Sequence, residues 1–102
     1  MKALSELLKE GMPVLVDFYA TWCGPCRVMM PIVNKIERKY DDLIRVVKMD
    51  VDEYDAESTS YGVRAVPTLM LFVKGVPVWR NTGIIAQRDL EEEILRQLGG
   101  RS

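Results

Sequence analysis

Histidine is absent from this 102-residue sequence, and cysteine occurs only twice. Structural zinc takes four ligands, so two cysteines without histidine would have to recruit carboxylates or a second chain, and a metal site is disfavoured. No stretch approaches the length of a membrane span. The segment Met1 to Gly11 is broken by Glu6, Lys9 and Glu10, which the apolar core of an export signal does not tolerate. Charge of one sign is not in excess either, since fourteen Lys plus Arg stand against fifteen Asp plus Glu, a formal charge of −1. Without a basic block to neutralise phosphates or rest on an anionic bilayer, neither nucleic acid nor a membrane is an expected partner. Internal repeats and low-complexity tracts are missing as well.

What is there fits one domain over residues 1–102, 48% hydrophobic and 28% charged, with room for one core and not for two. Both cysteines lie in Trp22-Cys23-Gly24-Pro25-Cys26, directly after an apolar run and at the mouth of a helix. A bridge closing so small a ring removes little entropy from the unfolded chain, so a structural staple is a weak explanation. Without a recognisable signal the expected location is the cytoplasm. In such a reducing compartment a Cys-x-x-Cys pair is more readily redox-active or metal-binding than a permanent bridge.

Apolar spacing orders the elements. Leu4, Leu7 and Leu8 mark a short helix over residues 3–10, stopped by Gly11-Met12-Pro13. Val14 to Ala20 is a near-continuous apolar run of strand length, as expected for a central strand covered on both faces. From Pro25 to Tyr40, Met29, Val33, Ile36 and Tyr40 line one face of a long helix, with Pro31 inside it as an expected kink. Leu43 to Val51 reads as a second strand. The acidic cluster from Asp50 to Glu57 then leads into a short helix ending near Gly62 and is most simply a solvated helix start. Thr68 to Val73 and Val76 to Asn81 flank the two-residue loop Lys74-Gly75, a hairpin whose second strand lies at an edge because it contains Pro77. Leu90, Ile94 and Leu98 close the chain as an amphipathic helix over 89–98. The order α β α β α β β α implies a parallel βαβ unit followed by a hairpin, in an α/β sheet with helices on both faces.

The chemistry follows from position. A thiol attacks a disulfide only as the thiolate, and Cys23 at a helix N-terminus gains from unpaired amides and the positive end of the dipole. Pro25 suits the first helical turn, where a missing amide hydrogen costs nothing. Cys26 follows one turn after Cys23, within bonding reach, and Cys23 is expected to be the more outward sulfur. Asp17 is a second anomaly, a carboxylate in an apolar central strand. Burial there would desolvate it and raise its pKa, unless it sits at a strand end and points to solvent. Lys48, in the otherwise apolar second strand, is the candidate to face it.

Phe18 to Arg27, Pro31, Lys48-Met49-Asp50-Val51-Asp52, Tyr61 to Thr68, Phe72 to Gly75 and Gly83 together resemble the thioredoxin family in order and spacing, from about residue 3 to residue 98. The resemblance implies a thioredoxin fold with a mixed four-stranded sheet and four helices. The extra N-terminal strand of many members is expected to be absent, because Met1 falls almost at the first helix. It implies a protein-disulfide reductase with Cys23 as attacking and Cys26 as buried resolving cysteine. Asp17 would take the proton of Cys26, tuned by Lys48. Val66 and Pro67, the latter in the family's cis-proline position, would pair with the client backbone by strand addition. Trp22, Gly24, Pro25, Gly83 and Ile84 would complete an apolar docking surface. Trp22 read without the family is as easily a core aromatic, and Ile84 an incidental exposed residue.

No bound cofactor is implied. The Cys23-Cys26 pair carries the electrons, and the expected partners are disulfide-bearing clients and a thioredoxin reductase that brings in NADPH indirectly. A surface that must stay free for docking favours a monomer. Tyr19 replaces a frequent tryptophan and Arg27 a usual lysine, neither of which threatens the chemistry. Trp79, on the edge strand, is expected to be packing or incidental.

Lowering a thiol pKa from about 8.5 to about 7, the value known for thioredoxins, raises the thiolate fraction at pH 7 from roughly 3% to roughly 50%. Nucleophilicity falls roughly fivefold in the same change, so the net gain is only about threefold. The rest of the advantage must come from a resolving cysteine held in place and from client docking. Gly24-Pro25 resembles reducing members, whereas isomerases and oxidases of the superfamily tend to carry a histidine there. An oxidase or isomerase of an exported compartment and a non-catalytic interaction module are the alternatives.

Overall fold

The computed structural model describes residues 4–99. Along the chain run α1 (Leu4–Leu8), β1 (Val14–Tyr19), α2 (Gly24–Lys39), β2 (Arg45–Asp50), α3 (Asp55–Ser60), β3 (Thr68–Val73), β4 (Val76–Thr82) and α4 (Gln87–Gln97). This is the expected order, with β2 two residues shorter at its start than the apolar run and α4 beginning two residues earlier. The strands form a four-stranded sheet in the order β2-β1-β3-β4. β1 pairs parallel with β2 and antiparallel with β3, and β3 and β4 form the hairpin. Lys74 and Gly75 both have positive φ, 53° and 78°, which is the geometry a two-residue type I′ loop requires. Pro77 lies on an edge strand, opposite Phe72 and beside a register shift, where its missing amide hydrogen breaks no interior ladder.

Strand alternation decides what each face of the sheet carries. Leu15 on β1 and Leu69 and Leu71 on β3 pack with Met29, Val33 and Ile36 of α2 and Leu90 and Ile94 of α4. Val14, Val16 and Phe18 on β1, with Val47 and Met49 on β2 and Met70 and Phe72 on β3, face Leu4 and Leu7 of α1, with Tyr54 and Tyr61 at their margin. Both faces of β1 are therefore covered, which is why its sequence is apolar without alternation. Trp79 packs against the α2 and α4 side of the core, the packing role expected for it. α2 runs unbroken through Pro31, whose ring nitrogen cannot donate to the carbonyl one turn back.

By the same alternation Asp17 shares the face of Leu15, beneath α2. Val46 of β2 also packs on that side, so Lys48, two residues on, points the same way, and the parallel register sets Asp17 directly beside Lys48. The pairing suspected from residue type thus follows from the pleat and the register together.

Candidate active site

Cys23 is the N-cap of α2, with extended backbone (φ −94°, ψ 113°), and its Sγ accepts a hydrogen bond from the Cys26 amide at 3.1 Å. That amide is one of the donors every helix N-terminus leaves unpaired, so the sulfur occupies a place where negative charge is favoured. Gly24 and Pro25 form the first turn and are exposed. Cys26 follows at the start of the apolar face, and the two sulfurs are joined in a disulfide with Cα atoms 5.3 Å apart. Cys23 is not the more outward of the two: the residues are 4% and 5% exposed and pack with Ala20, Tyr19, Val51 and Val66. Neighbouring segments cover the N-cap position, which helix geometry alone does not foresee.

Asp17 is 5% exposed, which removes the solvent-facing reading. Its Oδ1 has no hydrogen-bond partner. Burial raises its pKa from 3.8 to about 6, against the opposing pull of the Lys48 ammonium. Asp17, Cys26 and Lys48 line one cleft of about 300 Å³, together with Tyr19, Thr21, Arg27 and Met30. A carboxyl poised near neutral pH therefore shares with the second cysteine a space large enough for several waters. Lys48 does not close onto it as a simple ion pair. Its Nζ donates to Asn34 Oδ1 and lies 3.8 Å from Glu37 Oε1, both on α2.

On the other side of the cysteines is an exposed rim. Trp22 is 67% exposed and so is no core aromatic, and its indole N–H donates to Asp52 Oδ2 at 2.8 Å. The Val66-Pro67 peptide bond is cis, and Val66 packs against the cysteine cluster. The Gly83 amide donates to the Pro67 carbonyl at 2.8 Å, which joins that loop to the Gly83-Ile84 turn. Gly83 has φ +99°, a conformation that favours glycine, and Ile84 beside it is 56% exposed. The platform residues inferred from the family resemblance thus come from three separated segments gathered at one end of the sheet. Among the described residues no group of three or more Cys, Asp or Glu side chains could hold a metal ion.

A disulfide at the N-terminus of α2, a buried carboxyl behind it and a cis-proline loop beside it form one arrangement with the four-stranded sheet. The sequence model of the family described as Thioredoxin matches residues 2–96. The chain belongs to the thioredoxin family. Thioredoxin 1 of Synechococcus elongatus is 41% identical over 93 residues, covering 91% of this chain and 87% of that protein. The thioredoxin of Rickettsia typhi is 37% identical over 94 residues, covering 92% and 90%. Among solved structures, a point mutant of the thioredoxin from Halobacterium salinarum superposes with a TM-score of 0.85 at 40% identity, covering 91% of this chain and 80% of that one. Oxidised mitochondrial thioredoxin 3 of Saccharomyces cerevisiae gives 0.82 at 36% identity, covering 90% and 85%.

The protein is accordingly a thiol-disulfide oxidoreductase that reduces protein disulfides through its Cys23-Cys26 pair. Thioredoxins generally work with disulfide-bearing clients and a thioredoxin reductase, and the family needs no bound cofactor. Several contacts of this thioredoxin escape a sequence reading. Asn34 and Glu37 at Lys48 are one case. Arg80 is another: from the edge strand it donates to the carbonyls of Tyr61 and Gly62, ahead of the Val66 loop. Helical spacing places Asn34 and Glu37 off the apolar face of α2, a weak signal. For Arg80 only the folded sheet supplies one.

Proposed function

We propose that this thioredoxin is a cytoplasmic, monomeric, single-domain reductase with no nucleic-acid or membrane partner, in which Cys23 attacks, Cys26 resolves and Asp17 handles the proton. The observation that carries the reading is the cleft shared by Asp17 and Cys26 behind a capped Cys23. The balanced charge, without a basic block, supports the partner assignment.

In the reduced protein the Cys23 thiolate attacks one sulfur of the client disulfide. The client S–S bond breaks, its other sulfur leaves as a thiolate that takes up a proton, and a mixed disulfide joins Cys23 to the client. Cys26 then loses its proton to Asp17 and attacks the Cys23 sulfur; the mixed disulfide breaks, and the second client sulfur leaves as a thiolate that takes up a proton. Two electrons pass to the client, and the pair ends as the disulfide. With a pKa of about 6, Asp17 is mostly ionised at pH 7 and able to accept that proton. Trp22, Gly24, Pro25, Val66, Pro67, Gly83 and Ile84 hold the client, Val66 by backbone pairing. Lys48 sets how readily Asp17 takes the proton.

Reductases and isomerases of this kind differ by about 90 mV, or about 4 kcal/mol for two electrons, so the potential of the Cys23-Cys26 pair decides the direction. A value near −270 mV is expected, and one near −180 mV would favour an isomerase. Cys26→Ser should accumulate client mixed disulfides. Failure of the reduced parent to reduce insulin with a working reductase present would end the reductase reading in favour of an interaction module.

A further inference from the structure

Arg80 directs its charge at the backbone. Its Nη1 donates to the Gly62 carbonyl at 3.0 Å and its Nη2 to the Tyr61 carbonyl, while Nη2 also lies 3.3 Å from Sδ of Met70, its register partner on β3. Among the described residues no carboxylate pairs with it. Tyr61 caps the C-terminus of α3, where carbonyls are left over and a cation is favoured. The guanidinium fork therefore ties β4 to the point where the chain leaves α3.

From Val63 to Pro67 the chain forms neither helix nor strand, so its course is set by what holds its two ends. At the far end Thr68 Oγ1 donates to the Ala65 carbonyl at 2.7 Å and meets Thr82 Oγ1 at 3.2 Å, next to the Gly83 amide that holds the Pro67 carbonyl. At the near end the Val63 amide donates to the Ser58 carbonyl, and Arg80 supplies the hold from outside α3. Arg80 and Thr82 are alternate residues of β4 and share one face of it. The edge strand thus grips the loop at both ends.

We propose that Arg80 is a positioning residue for client reduction: its fork clamps the start of the Val66-Pro67 loop, so that the Val66 backbone is already in place when a client strand arrives. The inference rests on the reading of Val66 as the client-pairing residue. A loop held beforehand need not be ordered each time a client binds, and that saving appears as tighter client binding. The bidentate fork matters as well as the charge, because a lysine ammonium is a point charge that does not match two successive carbonyls in the same way.

The test compares a synthetic peptide with one internal disulfide and its twin, N-methylated at the backbone amides on either side of the target cysteine, which blocks strand pairing. The readout is the ratio of kcat/KM for the two peptides with the full reduced protein. A ratio within one variant does not depend on how much of that variant is folded. The parent should prefer the unmodified peptide about tenfold, the size of one or two backbone hydrogen bonds. Arg80→Met, which keeps the stem without the donors, should lose about fivefold on the unmodified peptide alone and bring the ratio to about twofold. Hydroxyethyl disulfide, too small to pair with Val66, should be reduced equally well by parent and variant. Arg80→Lys should recover less than half of the loss. A parent-like ratio in Arg80→Met would overturn the clamp and leave pairing at Val66 standing. An equal loss on hydroxyethyl disulfide would make Arg80 a support of the whole fold, and full recovery in Arg80→Lys would reduce it to a positive charge; either overturns the clamp. A ratio near one in the parent would remove pairing at Val66, and the clamp with it, while the redox reading stands.

Discussion

Replacing Asp17 by Asn should stabilise this protein selectively at neutral pH, and the effect can be sized. Burial holds the Asp17 pKa near 6 in the folded chain, against 3.8 without that environment. Between those values the folded state keeps the proton that the unfolded state has lost, so stability falls as pH rises. The favourable contribution is fully present below about pH 3.8 and is gone once the pH has passed about 6. A rise from 3.8 to about 6 corresponds to about 3 kcal/mol, of which about 2 to 3 kcal/mol develops between pH 4 and pH 7.5. Asn does not titrate, so its own burial cost is the same at both pH values and cancels in a difference. Urea unfolding of parent and variant in the disulfide form, at pH 4 and pH 7.5, gives that double difference. The variant's advantage should grow by about 2 to 3 kcal/mol on going to pH 7.5. A difference that stays flat with pH would refute the buried, raised carboxyl. The same variant should slow release of the mixed disulfide more than its formation, and equal slowing of both steps would remove Asp17 from the proton transfer.

Lys48→Gln removes the cation that lowers the Asp17 pKa, so the carboxyl should titrate higher still, as followed by carbon-detected NMR of Asp17. Trp22→Ala should leave stability within about 0.5 kcal/mol because the ring is exposed, while raising KM for a protein client; a large loss in urea resistance would give the ring a structural role instead. Glu91 accepts from Lys39, Tyr40 and Gln87, and these bonds hold its carboxyl down near 2. The stabilisation is present above its ordinary value of 4.5 and disappears as pH falls through about 2. Glu91→Gln should therefore lower the urea midpoint at pH 7, with a deficit that shrinks in strong acid.

Most of the fold was legible because each element advertises itself locally. Val14 to Tyr19 is apolar throughout because both faces are covered, and Met29, Val33 and Ile36 keep helical spacing because only one face of α2 is. The cysteines and Asp17 were legible for a different reason, since each is a chemical exception to its surroundings. What stayed hidden depends on packing between distant segments. Trp22 meets Asp52 across thirty residues of sequence, and Lys48 is shared between Asn34 and Glu37 only because α2 crosses over β2. The near-equal burial of Cys23 and Cys26 depends on Val66 and Val51 arriving beside the N-cap. Helix geometry by itself argued the opposite.

Asp17 Oδ1 and Ser58 Oγ are the two buried side-chain polar atoms left unpartnered among the described residues. A directed-evolution campaign that scored heat resistance alone would find both positions early and replace them, because removing a lone buried polar group is among the simplest stabilising changes. The survivors would fold better while losing the proton transfer proposed for Asp17. Any thermostabilised version of this protein needs turnover screened alongside melting temperature, with residue 17 held fixed from the start.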